Sequence, residues 1–132
     1  MENAKIMVVD DDPAIRDSLQ TILESRRYTV ITAADRTEGM DKIKAEKPDL
    51  LILDIMMSSW LDGLDMSKKL KKDPQFKDMP IVMLTGVREK TGFDLRPRSS
   101  GPDWCSVDAY LDKPVPPDVL LAQVEKLLSK KA

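Results

Sequence analysis

Five residues have the types and settings to do chemistry together: Asp10, Asp11, Asp54, Thr85 and Lys113. Asp10 and Asp11 follow the apolar run Ile6-Met7-Val8-Val9, and Asp54 ends the run Leu50-Leu51-Ile52-Leu53. Thr85 ends Ile81-Val82-Met83-Leu84, and Lys113 follows Ala109-Tyr110-Leu111-Asp112. Three carboxylates brought together repel one another, and a hard divalent cation relieves that repulsion. Oxygen-only ligands suit Mg2+, which keeps several waters and favours an added phosphate. A metal ion, a hydroxyl and a lysine around one carboxylate meet the needs of phosphoryl transfer, where positive groups must already face the oxygens that gain charge. Asp54 is then the nucleophile, forming an aspartyl-phosphate.

These residues converge only if the apolar runs are strands of one parallel sheet. Leu50 to Leu53 is uninterrupted by polar residues, as expected of a strand buried on both faces. In such sheets ligands bind outside the carboxyl ends of the strands, where Asp54 falls. Lys5 to Val9 reads as a first strand, Tyr28 to Ala33 as a β-branched second, Ile81 to Thr85 as a fourth and Ala109 to Asp112 as a fifth. Helices alternate with them. Asp12-Pro13 starts the first, with Ile15, Leu19, Ile22 and Leu23 on one face. Asp35 caps a second that runs to about Glu46, with Met40 and Ile43 inward. A third is expected from Leu64 to about Lys72, after a turn-like 58–63 segment. The last opens at Pro116-Pro117-Asp118 and carries Leu120, Val124, Leu127 and Leu128 inward. This alternation implies an α/β fold with helices on both faces of the sheet.

The totals exclude several classes. At 132 residues the chain reads as one domain, residues 1–132, able to form a proper core. A composition 42% hydrophobic and 33% charged is globular rather than disordered. With 21 basic and 23 acidic residues the net charge is −2, which offers no basic footprint for nucleic acid. The absence of histidine rules out histidine triads and histidine-ligated zinc. A single cysteine, Cys105, excludes an internal disulfide and suits a reducing compartment. No signal core and no membrane-length apolar run are present, so a cytoplasmic protein without membrane contacts is expected.

Taken in order, Val8-Val9-Asp10-Asp11-Asp12-Pro13, Leu53-Asp54-Ile55-Met56-Met57, Leu84-Thr85-Gly86 and Tyr110-Leu111-Asp112-Lys113-Pro114 closely resemble the receiver domain of two-component response regulators, in particular stand-alone, chemotaxis-regulator-like ones. The resemblance covers nearly the whole chain. It implies a flavodoxin-like doubly wound sheet of five parallel strands, order 2-1-3-4-5. It implies that Asp54 takes phosphate from a histidine kinase or phosphotransfer protein. It also implies that Asp10, Asp11, Asp54 and the main-chain carbonyl of Met56 bind Mg2+, and that Thr85 and Lys113 contact the phosphoryl oxygens. Tyr110 matches an aromatic switch position that acts with Thr85, and the Lys113-Pro114 bond resembles one that is cis in the family. The expected protein is a signalling switch rather than an enzyme, monomeric or dimerising on phosphorylation. Its output would run through protein contacts or a phosphorelay, since the sequence ends just past the last helix.

Two stretches depart from the family pattern. Ser58-Ser59-Trp60-Leu61-Asp62-Gly63 lacks the usual proline and is one residue longer. Val87 to Asp108 carries Gly92, Pro97, Gly101 and Pro102 where a regular helix is expected, so that region reads as irregular and its output face as altered. Trp60 and Trp104 read as loop anchors. In the family the residues two past the phosphoacceptor and two past the threonine flank the route of the hydrolytic water. Here they are Met56 and Val87, both apolar and unable to orient that water, so the resemblance implies slow self-dephosphorylation. Two rival readings stay open. One is an aspartyl-phosphate phosphatase using Asp10 in an Asp-x-Asp with Asp12. The other is a phosphate-independent binding module with the same fold.

Overall fold

The computed structural model describes residues 4–54, 62–85, 109–112 and 116–131. Strand β1 (Lys5–Val9) leads into helix α1 (Pro13–Glu24), followed by β2 (Thr29–Ala33) and α2 (Arg36–Glu46). β3 (Leu50–Asp54), α3 (Asp62–Lys72), β4 (Ile81–Thr85), β5 (Ala109–Asp112) and α4 (Pro117–Lys131) complete the described elements. The strands form a sheet of order β2-β1-β3-β4-β5, and every adjacent pair is parallel. This is the doubly wound order that the family resemblance implies. The 87–108 stretch, with its expected irregularity, lies outside the described residues, as do Trp60, Trp104 and Cys105.

The central strands are apolar throughout because both of their faces are covered. Met7, Val9, Leu51, Leu53, Ile81 and Met83 point to one side, where Ile43 of α2 and Met66 and Leu70 of α3 pack on them. Ile6, Val8, Leu50, Ile52, Val82 and Leu84 point to the other. There Leu19 and Leu23 of α1 meet Leu120, Val124 and Leu128 of α4. Each fully buried side chain of this size contributes about 1.5–3 kcal/mol relative to exposure. On the α1 face Ile15 and Ile22 are only partly buried, flanking the two leucines that reach the core.

Local chemistry sets the helix ends. Asp12 accepts from the Ala14 N–H at 2.9 Å, with Pro13 at the first helical position, so α1 begins where the sequence places it. Asp35 accepts from the Glu38 N–H at 2.8 Å, and Glu38 reaches back to the Ala34 N–H at 2.7 Å. This variant of the capping box, in which the glutamate takes the N–H one residue before the cap, secures a helix whose apolar pattern is weak. α2 ends at Lys47, which holds a left-handed conformation at φ 50° before Pro48. Helix α3 differs from expectation. It starts at Asp62 rather than Leu64, taking Asp62 and Gly63 from the turn-like stretch into its first turn.

One close contact was not foreseen. A Cβ at Gly39 would lie 3.0 Å from Met66 Cε and 3.1 Å from Val9 Cγ2. Gly39 therefore lets α2 lie close to β1 and α3. Its cost in helix propensity, about 1 kcal/mol against alanine, is offset by that approach.

The capping box also gives a pH signature. Two contacts hold the Glu38 carboxyl below its usual range, first the Ala34 N–H and then the side chain of Lys42. A depressed carboxylate stabilises the fold above its unfolded pKa and loses that contribution as pH falls through the folded value. In chemical denaturation, Glu38→Gln is expected to be less stable than the unsubstituted protein at pH 7. The difference should shrink as pH falls below about 4.3, the ordinary glutamate value. A difference independent of pH would contradict the assignment.

Candidate functional site

Strand register brings the acidic residues together. β1 and β3 pair through Val9 and Leu53; Asp10 follows directly after β1, and Asp54 is the last residue of β3. Adjacent strands lie about 4.8 Å apart, so the two carboxylates leave the sheet side by side at its carboxyl edge. Asp11 joins them from the start of the β1–α1 connection. One carboxylate oxygen from each of Asp10, Asp11 and Asp54 lies within 4.8 Å of the others. Asp10 is fully buried and Asp54 is 2% exposed, whereas Asp11 is exposed. The site therefore has a buried floor of two carboxylates and one open side.

The floor is tied down by main-chain contacts. The Asp10 N–H donates to the Ala33 carbonyl at 3.1 Å, which anchors the end of β1 to the end of β2. The Asp12 N–H donates to Asp10 Oδ1 at 2.9 Å, and Arg16 Nη1 donates to the Asp10 main-chain carbonyl at 2.7 Å. Asp10, Asp11 and Asp54 are thus gathered as the sequence suggested. The donor set fits Mg2+: all oxygen, all anionic, three carboxylates converging, of which Asp11 is exposed. Asp12 takes no part, because its side chain caps α1. That leaves Asp10 without the second acid that the Asp-x-Asp phosphatase reading requires.

On β4, Leu84 pairs with Asp54, and Thr85 pairs with Asp112 on β5. Thr85 therefore stands at the same sheet edge, one residue beyond the level of Asp54. Tyr110 pairs with Met83, within the sheet and below that edge. Only the main-chain positions of Thr85 and Tyr110 are described. Met56, Val87, Lys113 and the Lys113-Pro114 bond lie outside the described residues. Sequence reasoning missed Arg16 and Glu38. An arginine one turn into a helix carries no mark of its own, whereas Asp35 followed three residues later by Glu38 is a legible capping pattern.

Comparison with known proteins agrees with this geometry. The family model described as the response regulator receiver domain matches residues 6–125. Response regulator Rre1 of Synechocystis is 38% identical over 130 residues, covering 98% of this chain and 53% of that protein. The alkaline phosphatase synthesis transcriptional regulatory protein PhoP of Bacillus subtilis is 37% identical over 132 residues, covering 97% and 50%. The chain spans about half the length of the curated relatives it matches. Among solved structures, NtrX from Brucella abortus superposes with a TM-score of 0.79 at 30% identity, covering 99% of this chain and 28% of that one. Chemotaxis response regulator CheY4 of Vibrio cholerae gives a TM-score of 0.75 at 29% identity, covering 94% and 98%. Among the described residues no helix is long and apolar enough to cross a membrane. With the sheet order, the acidic floor and a family match over most of its length, this chain belongs to the response regulator receiver domains of two-component systems.

Proposed function

We propose that Asp54 is the phosphoacceptor of a two-component switch, served by a histidine kinase or phosphotransfer protein. One observation carries this reading: β1–β3 register places a buried Asp54 beside Asp10, with Asp11 completing an all-carboxylate cluster. In the transfer an Asp54 oxygen attacks the phosphorus of a phosphohistidine. The P–N bond breaks, the released imidazole takes up a proton from solvent, and a mixed anhydride forms on Asp54. Burial strips water from the nucleophile and shields the anhydride.

Asp10, Asp11 and Asp54, with the carbonyl of Met56, would hold the cation. When bound, Mg2+ supplies positive charge to the phosphoryl oxygens during transfer. Thr85 and Lys113 contact those oxygens, and Thr85 and Tyr110 relay the change to a surface read by a protein partner. The chain acts as one receiver domain over residues 1–132, in the cytoplasm, as a switch rather than an enzyme. Acetyl phosphate, which needs no kinase, tests the proposal. With Mg2+, intact mass should show one added phosphoryl group, and EDTA should prevent it. No gain under either condition would favour a phosphate-independent module.

The lifetime of the anhydride gives a separate expectation. In receiver domains the positions of Met56 and Val87 border the route of the attacking water, and both residues are apolar here, so phosphate loss should be slow. Met56→Glu offers a carboxylate to orient that water and is expected to accelerate loss by roughly 100-fold, the low end of general-base effects. Acid-quenched time courses of the labelled protein measure it. Equal rates would refute the role given to these positions.

A further inference from the structure

We infer that Arg16 is a positioning residue for the cation site. The inference rests on the reading of Asp10, Asp11 and Asp54 as ligands of a divalent cation. Arg16 lies one turn into α1, its N–H donating to the Asp12 carbonyl at 3.0 Å. Helical side chains lean toward the N-terminus, so that of Arg16 folds back over the end of β1. There its Nη1 donates to the Asp10 main-chain carbonyl at 2.7 Å.

That carbonyl belongs to the peptide joining Asp10 to Asp11. Asp10 is already fixed on two sides, through its N–H to Ala33 and through Oδ1 from the Asp12 N–H. Asp11 is exposed, and no element of secondary structure holds it. With the carbonyl held, the Asp10–Asp11 peptide plane cannot rotate freely, and the direction in which Asp11 leaves the main chain is set. Arg16 thereby orders the exposed ligand through the backbone. A guanidinium suits this place because it is always charged and its planar fork is pre-organised, so it can hold a carbonyl beside an acidic cluster.

Arg16 also carries a positive charge beside a cation site, and this makes the inference testable by sign. If charge were its only influence, removing it would tighten cation binding. If it orders Asp11, removing it weakens binding despite the lost repulsion. Groups that orient metal ligands from outside the coordination sphere typically alter affinity 10- to 100-fold, and the lower end is expected for one acting through the main chain.

The experiment is Mg2+ titration by calorimetry on the unsubstituted protein, Arg16→Ala, Arg16→Lys and Arg26→Ala. Arg26 forms an exposed ion pair with Glu125 at 3.0 Å, away from the acidic cluster, and controls for general loss of a surface arginine. Arg16→Ala is expected to bind about 10-fold more weakly, with Arg16→Lys recovering most of the loss and Arg26→Ala unchanged. Thermal unfolding without Mg2+ should show Arg16→Ala fully folded at the titration temperature. Affinity in Arg16→Ala equal to or tighter than that of the unsubstituted protein overturns the positioning role alone, leaving the cation site intact. No Mg2+ binding by the unsubstituted protein overturns the cation reading and this inference with it.

Discussion

Asp54→Asn is expected to abolish phosphoryl uptake from acetyl phosphate while making the cation-free protein more stable. The two effects share one cause. Asp54 is 2% exposed and shares a floor with Asp10, with carboxylate oxygens of the trio within 4.8 Å of one another. At that spacing, with an effective dielectric constant of 20, two carboxylates repel by on the order of 3 kcal/mol. An amide keeps the shape of the side chain and removes one of the charges. A gain in folding stability of about 1 kcal/mol or more without Mg2+ is therefore expected, smaller than the bare repulsion because hydrogen-bonding dipoles around the site, such as the Asp12 N–H on Asp10, offset part of it. Phosphoryl uptake is lost because an amide nitrogen or oxygen is too weak a nucleophile to form the anhydride. Mg2+ should stabilise the unsubstituted protein increasingly with concentration, as any ligand of the native state does, and stabilise Asp54→Asn less. Intact mass after acetyl phosphate and denaturant melts with and without Mg2+ check both parts. A less stable Asp54→Asn protein would mean that the carboxylate is paired well enough to make burial favourable.

The second large effect belongs to the strand that carries Asp54. Leu51 faces α2 and α3, and Ile52 faces α1 and α4. Both side chains are fully buried. Truncating either to alanine removes buried methyl groups and leaves a cavity that a close-packed core only partly closes. Each substitution is expected to cost about 2–5 kcal/mol, a large share of the 5–15 kcal/mol that holds a typical domain folded. The informative comparison is between the two. In a sheet with one wet face, one of two successive residues would be nearly free to change. Here Leu51→Ala and Ile52→Ala should be comparably destabilising in urea denaturation. A cost below about 0.5 kcal/mol for either would contradict a sheet covered on both sides, since such small effects belong to surface positions.

What the sequence revealed follows from how local each signal is. Leu50 to Asp54 declares both its burial and its carboxylate, because a strand covered on both faces has no polar position to interrupt it. Asp12-Pro13 marks the start of α1 through interactions confined to a few residues. The acidic trio was legible because parallel strands must end on one edge. The close approach at Gly39 was not, since it depends on Val9 and Met66 from other elements. Without its capping residues α2 would have been hard to place, as Gly39 and Ile43 are its only fully buried positions. Arg16 escaped notice for the same reason as Gly39. Its meaning comes from a carbonyl on a strand, reached only when α1 packs back on the sheet. The start of α3 was misplaced by two residues because Asp62-Gly63 suits a turn and a helix N-terminus equally well.

The central claim is that the carboxylate at the end of β3 is the atom group that receives phosphate. Borohydride reduction tests it most directly, because it converts an aspartyl-phosphate to homoserine and marks the acceptor in the chain. Protein treated with acetyl phosphate and Mg2+, reduced and digested, should yield homoserine at position 54 and at no other aspartate. Homoserine at position 10, or none at 54 in protein that has gained a phosphoryl group, would contradict the account.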